Sequence, residues 1–192
     1  MIVSRMKRAF AWYANTLREH PKAANAVMTG TLFGTGDVIA QWFFPNSRDD
    51  KKQQGYDFAR TARSVIYGSC IFSFIGDQWY KILNSKIRLP NQPQSSILNT
   101  AFRVAVDQLC FAPMGIPLYF FCLTLLEGGT LNDARIKIHN LWWGVLTKNW
   151  VIWPAVQALN FSFVPVQHRL QATNIVAIVW NTYLSYKNSI GK

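Results

Sequence analysis

Residues 24–44 form an apolar run long enough to cross a bilayer, and it holds one ionisable side chain, Asp37, a turn after Gly30-Thr31-Leu32-Phe33-Gly34. A spanning helix needs about 20 mostly apolar residues, and a carboxylate at that depth costs several kcal/mol unless it faces a partner or a water-filled cavity. The run therefore calls for a membrane helix, and Asp37 calls for something polar on one side of it.

Composition agrees. Half of the 192 residues are hydrophobic and 15% are charged, against about 25% in soluble domains. The mean hydropathy of only +0.05 follows from basic residues concentrated before and between the apolar runs. The net charge of +11 is spread along the chain and interrupted by membrane-length segments, a pattern that suits anionic lipid head groups rather than nucleic acid. Cys70, Cys110 and Cys122 fall in apolar runs without metal-ligand or Cys-x-x-Cys spacing, so they read as small buried hydrophobes. His20, His139 and His168 lie far apart, and neither a metal nor a cofactor is expected.

These features predict an all-α, polytopic membrane bundle forming one domain over residues 1–192, with four to five membrane segments near 24–44, 61–80, 97–126, 142–164 and 170–186. Residues 1–20 carry Arg5, Lys7, Arg8 and Arg18 against Glu19, and read as an amphipathic targeting or interfacial helix of mitochondrial type. At a rise of about 1.5 Å per residue the third segment would be about 45 Å long, so a kink is expected at Pro113 and Pro117. Residues 131–140 read as a short amphipathic helix separate from the next segment, which Pro154 should break. Five basic residues precede the first span and five lie between it and the second, so the positive-inside comparison gives no orientation.

Each segment carries a polar row at helical spacing. Asp37 and Gln41 share a face with Gly30 and Gly34, which suit close helix packing. Arg103 and Asp107 are placed for an intrahelical ion pair. Asn149, Gln157 and Asn160 align on the fourth segment, and Asn174, Asn181 and Ser185 on the last. Such rows line a hydrated passage or act as hydrogen-bond glue, and spacing leaves both open. The proposed lining is Asp37, Gln41, Arg103, Asp107, Asn149, Gln157 and Asn160, and Asp37→Asn is expected to shift ion selectivity with the fold intact. No catalytic residue is assigned. Gly34-Thr35-Gly36-Asp37 matches the Gly-x-Gly-Asp string of intramembrane aspartyl proteases, but Tyr56-Asp57 follows it in a polar loop instead of preceding it on a helix.

The strings taken in order resemble the family of 22-kilodalton peroxisomal membrane proteins and their mitochondrial inner-membrane relatives. The resemblance rests on His20-Pro21, Thr29-Gly30, Gly36-Asp37 and Gln41; on Asp57, Arg60 and Arg63; on Trp79-Tyr80; and on Asp107-Gln108 with Pro113. It continues through Asn149-Trp150, Trp153-Pro154, Gln157, Asn160-Phe161, Val164-Pro165, Arg169, Trp180 and Tyr183-Leu184-Ser185. The fungal, stress-inducible mitochondrial branch is the most similar. The resemblance implies a small multi-pass bundle in the mitochondrial inner membrane that passes small solutes or metabolites and supports metabolite balance, with self-association into a homo-oligomer as a further expectation. The alternative is a non-conducting scaffold or assembly factor. Many family members have Gly-Pro and a His before the Trp-Tyr, where this chain has Ser73-Phe74 and Asp77.

Overall fold

In the computed structural model, residues 19–45, 55–94, 96–164 and 168–191 are described, and the expected targeting helix lies outside them. The described residues fold into five helices without a strand. Helix α1 spans Pro21–Phe43, with Pro21 in its first turn, where a missing N–H costs nothing. Helix α2 runs through Phe58–Ile66, a π-helical stretch Tyr67–Phe72, and Ser73–Lys86. Its N-cap is Asp57, whose carboxylate accepts the Arg60 N–H at 2.9 Å.

Helix α3 spans Ile97–Leu126, with a π-helical stretch at Asp107–Phe111. Ser96 caps it by accepting from the Asn99 N–H, and Gly128, at φ 82°, takes the left-handed conformation that ends it. Helix α4 spans Leu131–Phe163, opened by a capping box between Thr130 and Asp133. Helix α5 spans Arg169–Ile190.

The separate helix expected over 131–140 and the break expected at Pro154 are both corrected: α4 is continuous over 33 residues. Residues 140–142 contain neither Gly nor Pro to stop it. Pro154 removes one main-chain donor, while Trp153 packs on Trp180 of α5 at 6.4 Å just before it. At about 1.5 Å per residue this helix is about 50 Å long.

The chain runs up and down. Gln41 meets Thr61 and Asn25 meets Ser73, so α1 and α2 are antiparallel. Trp79 meets Asp107, Gln108 meets Asn149, and Asn160 meets Thr173, which continues the alternation through α5. Helix α5 then closes against α1 in parallel, with Phe44 against Tyr186. Approach between α1 and its neighbours depends on missing side chains. A Cβ on Gly30 would lie 2.0 Å from Ser69 Oγ, and one on Gly36 would lie 2.9 Å from the Asn181 carbonyl carbon and the Thr182 nitrogen. The apolar centre is aromatic: Phe33, Tyr67 and Tyr119 make edge and stacked contacts at 5.1–6.0 Å, surrounded by Ile116, Phe120, Leu123, Val145, Leu146 and Leu184.

Among the described residues one helix, Ile97–Leu126, is long and apolar enough to cross a membrane by length and composition. Only a third of its most apolar stretch is buried, whereas the core helix of a soluble protein would be mostly covered. The other helices fall short because their inward faces are polar, Asn25, Thr29, Asp37 and Gln41 on α1 being the example. Cys70 and Cys110 are exposed and only Cys122 is half-buried, a third correction: the first two project from outward faces of the π-helical stretches.

Candidate functional site

What the bundle encloses is unusually polar. Asp37, Arg60, Asn99, Gln108, Lys137, Asn149, Asn160 and Ser185 are buried, while Trp42, Phe74, Leu109, Met114, Val151 and Val179 are exposed. These groups surround the apolar aromatic centre, and buried polar side chains in this number are unusual in a soluble domain. The buried polar groups gather in clusters at different levels.

One cluster joins α1, α2 and α5. Asp37 is fully buried. Its Oδ1 accepts Arg60 Nε at 2.8 Å and the Ser185 hydroxyl, and its Oδ2 accepts Gln41 Nε2 at 2.8 Å and the Thr61 hydroxyl at 2.7 Å. Arg60 Nη2 donates onward to Ser185 Oγ at 2.8 Å and to its carbonyl at 3.2 Å. Gln41 also clasps the Asp57 main chain, accepting its N–H at 2.8 Å and donating to its carbonyl at 3.0 Å. A carboxylate with four donors, one a guanidinium, is a satisfied buried ion. Its partner is a cation and not the second carboxylate that an aspartyl dyad needs. The expectation that Asp37→Asn leaves the fold intact is revised accordingly, because the substitution strands Arg60.

At the same end, Lys137 of α4 donates to Glu127 Oε2 at 3.2 Å and to Asn188 Oδ1 at 3.2 Å, and Asn188 Nδ2 donates to Glu127 Oε1 at 2.6 Å. Both charged clusters therefore hold the last turns of α5.

A third network crosses α2, α3 and α4. Asp107 accepts Trp79 Nε1 at 2.7 Å and Gln108 Nε2 at 3.1 Å, and Gln108 Oε1 accepts Asn149 Nδ2 at 2.7 Å. The π-helical register pairs the Ala112 N–H with the Asp107 carbonyl, so the next carbonyl, that of Gln108, faces Pro113, which has no N–H. Trp150 Nε1 fills the vacancy at 2.8 Å. Pro117 likewise frees the Pro113 carbonyl, which accepts Trp142 Nε1 at 3.1 Å.

The proposed lining residues thus fall into separate groups. Asp37 and Gln41 share one cluster, and Asp107 and Asn149 share another through Gln108. Arg103 turns away from Asp107 to the Ile87 carbonyl, at 3.0 Å. Asn160 donates to Thr173 Oγ1 at 3.0 Å and to the Arg169 carbonyl at 3.1 Å, and Gln157 is half-buried without a side-chain hydrogen bond among the described residues. No three His, Cys, Asp or Glu side chains among the described residues gather to hold a metal.

The chain is 59% identical to Protein SYM1 of Saccharomyces cerevisiae over 92% of its own length and 88% of that protein. It is 54% identical to Protein SYM1 of Kluyveromyces lactis, over 93% and 89% of the two chains, and 36% identical to Protein sym-1 of Neurospora crassa, over 93% and 98%. The signature of the Mpv17 / PMP22 family matches residues 124–185. The chain belongs to the Mpv17/PMP22 family. Membership on this fungal branch makes it a membrane protein of mitochondria. No solved structure matches it. The Mpv17/PMP22 signature covers α4 and most of α5, and so takes in Lys137, Asn149, Asn160 and Ser185.

Sequence reasoning missed the partners that complete the clusters: Arg60 and Thr61 for Asp37, Glu127 and Asn188 for Lys137, and Trp79 for Asp107. A signal for the first existed. Asp57 as N-cap places Arg60 and Thr61 on the first turn of α2, and an antiparallel return of that helix from the end of α1 brings the turn level with Asp37.

Proposed function

We propose that the chain is a multi-pass, non-enzymatic protein of the mitochondrial inner membrane whose helices enclose a weakly selective passage for small solutes, in service of metabolite balance under stress. The observation that carries this reading is the set of polar side chains bridging between helices inside, around the aromatic centre, with large apolar side chains outside. Asp37, Gln41, Asp107, Asn149, Gln157 and Asn160 form the lining, Arg103 being turned to the α2–α3 connector instead, and the Asp37–Arg60–Ser185 and Glu127–Lys137–Asn188 clusters form a closure at one end. Water entering past such groups exchanges hydrogen bonds with them instead of opening a cavity in an apolar core.

A scaffold is the second reading. The mutual satisfaction of Asp37 by four donors favours it, since glue needs no free groups. Single-channel recording of the purified chain in planar bilayers separates the two, with Gln157→Lys as the paired variant because Gln157 has no hydrogen bond to lose. Discrete openings whose reversal potential moves toward anions in the variant support the passage. Silence from well-folded protein across lipids and voltages supports the scaffold.

A further inference from the structure

Residues 78–106 contain Lys81, Lys86, Arg88 and Arg103 and no acid. Lys81 is neutralised by Asp77 at 2.6 Å. Lys86 and Arg88 are exposed and make no ion pair among the described residues. Arg103 reaches from α3 to the connector between them, its Nε donating to the Ile87 carbonyl at 3.0 Å and its Nη1 to the Gln94 carbonyl at 3.5 Å. Its Nη2 is buried and has no partner. Three cations thus meet at one short connector, and one of them keeps a guanidinium nitrogen, Nη2, without a partner. A guanidinium N–H with two further cations beside it matches the charge and acceptor oxygens of a phosphate.

Two further features say what carries that phosphate. The first turn of α3, immediately after the connector, exposes Ile97 by 84% and Leu98 by 59%. An apolar pair bare to this degree beside a cation cluster fits acyl chains below a head group. Gln94 also lines an open depression of about 430 Å³ with Asp77, Tyr80, Lys81, Asn84 and Ser85; its carboxylate, Asp77, is held by Lys81, which leaves a head group room.

We propose that this corner of the bundle binds the phosphodiester head group of an anionic phospholipid, with Arg103, Arg88 and Lys86 on the phosphate and Ile97 and Leu98 against the chains. The site rests on the reading that these helices span a membrane. By contrast, the cations of the opposite end are largely spent on carboxylates, Arg60 on Asp37, Arg63 on Asp57 and Lys137 on Glu127.

The test uses the full chain in mild detergent, equilibrated with equal amounts of phosphatidylglycerol and phosphatidylcholine and analysed by mass spectrometry for retained lipid. Each cation near an anionic surface is worth about fivefold in binding. Lys86→Gln with Arg88→Gln, which leaves the Arg103 contacts to the connector in place, should therefore lower the preference for phosphatidylglycerol by roughly tenfold or more. Arg135→Gln, an exposed cation at the other end, should leave it within twofold. Equal loss in both variants, or none in the double variant, overturns the site. Displacement of the lipid by millimolar inorganic phosphate overturns the lipid assignment, because the corner would then be taking a free anion. Flotation on phosphatidylcholine vesicles keeps the two readings apart. Protein that fails to float overturns the membrane-spanning reading and the site with it, whereas protein that floats but retains both lipids equally overturns the site alone.

Discussion

Replacing Asp37 by Asn removes one charge and almost no volume, so its effect measures what the ion pair contributes. In the native protein two donors converge on each carboxylate oxygen, and both Asp37 and Arg60 are more than nine-tenths buried. An Asn keeps one acceptor oxygen and turns an NH2 toward the other pair of donors. A hydroxyl such as that of Thr61 can rotate and accept, but the Gln41 amide meets a second donor. Arg60 is left as an uncompensated cation, and breaking one side of a buried pair costs about 3–5 kcal/mol. Arg60→Gln should cost a similar amount, since it strands the carboxylate. The double variant should cost less than the sum by about 2–3 kcal/mol, because neither charge remains to be stranded. Reversible unfolding in mixed micelles by a denaturing detergent gives the four free energies of the cycle. Additive effects, or an Asp37→Asn cost below about 1 kcal/mol, would refute the claim that this pair holds α1 to α2 and α5.

Glycine contacts give a ranked expectation. Gly36→Ala should destabilise more than Gly30→Ala, because its Cβ meets main-chain atoms of Asn181 and Thr182 at 2.9 Å that cannot swing aside, whereas at Gly30 the Ser69 hydroxyl can and the Val65 carbonyl oxygen lies farther off, at 3.3 Å. Thermal unfolding in detergent checks the order, and the larger effect should fall in the overpacking range of about 1–3 kcal/mol. Trp150→Phe should cost about 1–3 kcal/mol by orphaning the Gln108 carbonyl; adding Pro113→Ala, which restores a main-chain N–H in the π-helical register, should recover part of that loss in the same assay. At the exposed start of α4, Asp133 is held below its ordinary value by the Thr130 hydroxyl and then by the Thr130 N–H. A carboxyl depressed in the folded state stabilises above its unfolded value, near ~3.9, and loses that contribution as pH falls through the folded value. The melting gap between the native chain and Asp133→Ala should therefore be open at neutral pH and close in acid.

Periodicity told which face of each helix is polar, and the apolar runs placed most helix limits close to where the structure has them, those of Ile97–Leu126 most nearly. The joining of residues 131–163 into one helix was hidden because Pro154 carries a breaking penalty that only tertiary packing offsets, here Trp153 on Trp180. The π-helical stretches were hidden for a related reason. An extra residue in a helical turn leaves no mark on composition, yet at Asp107–Phe111 it decides that the Gln108 carbonyl points at Trp150. Arg103 and Asp107 stand four apart and look like a pair, but each has a better-placed partner on another element, the Ile87 carbonyl and the Trp79 indole. One sequence gives spacing along a helix and does not give the level of its neighbours.

The two charged clusters share an element, and that gives the end of the bundle a mechanical logic. Ser185 and Asn188 lie three residues apart on α5, hence on one face. Through them α5 receives Arg60 and Asp37 from one side and Lys137 and Glu127 from the other. Moving the last turns of α5 outward would unsettle both clusters together, whereas moving α1 or α4 alone would unsettle only one. Each cluster is unequal in its exposure: Asp37 is sealed, while Glu127 keeps nearly a third of its side chain accessible. In the proposed passage water would therefore reach the Glu127–Lys137 cluster first, where the exchange of hydrogen bonds is least costly, and the sealed Asp37–Arg60 pair would be the last barrier to yield.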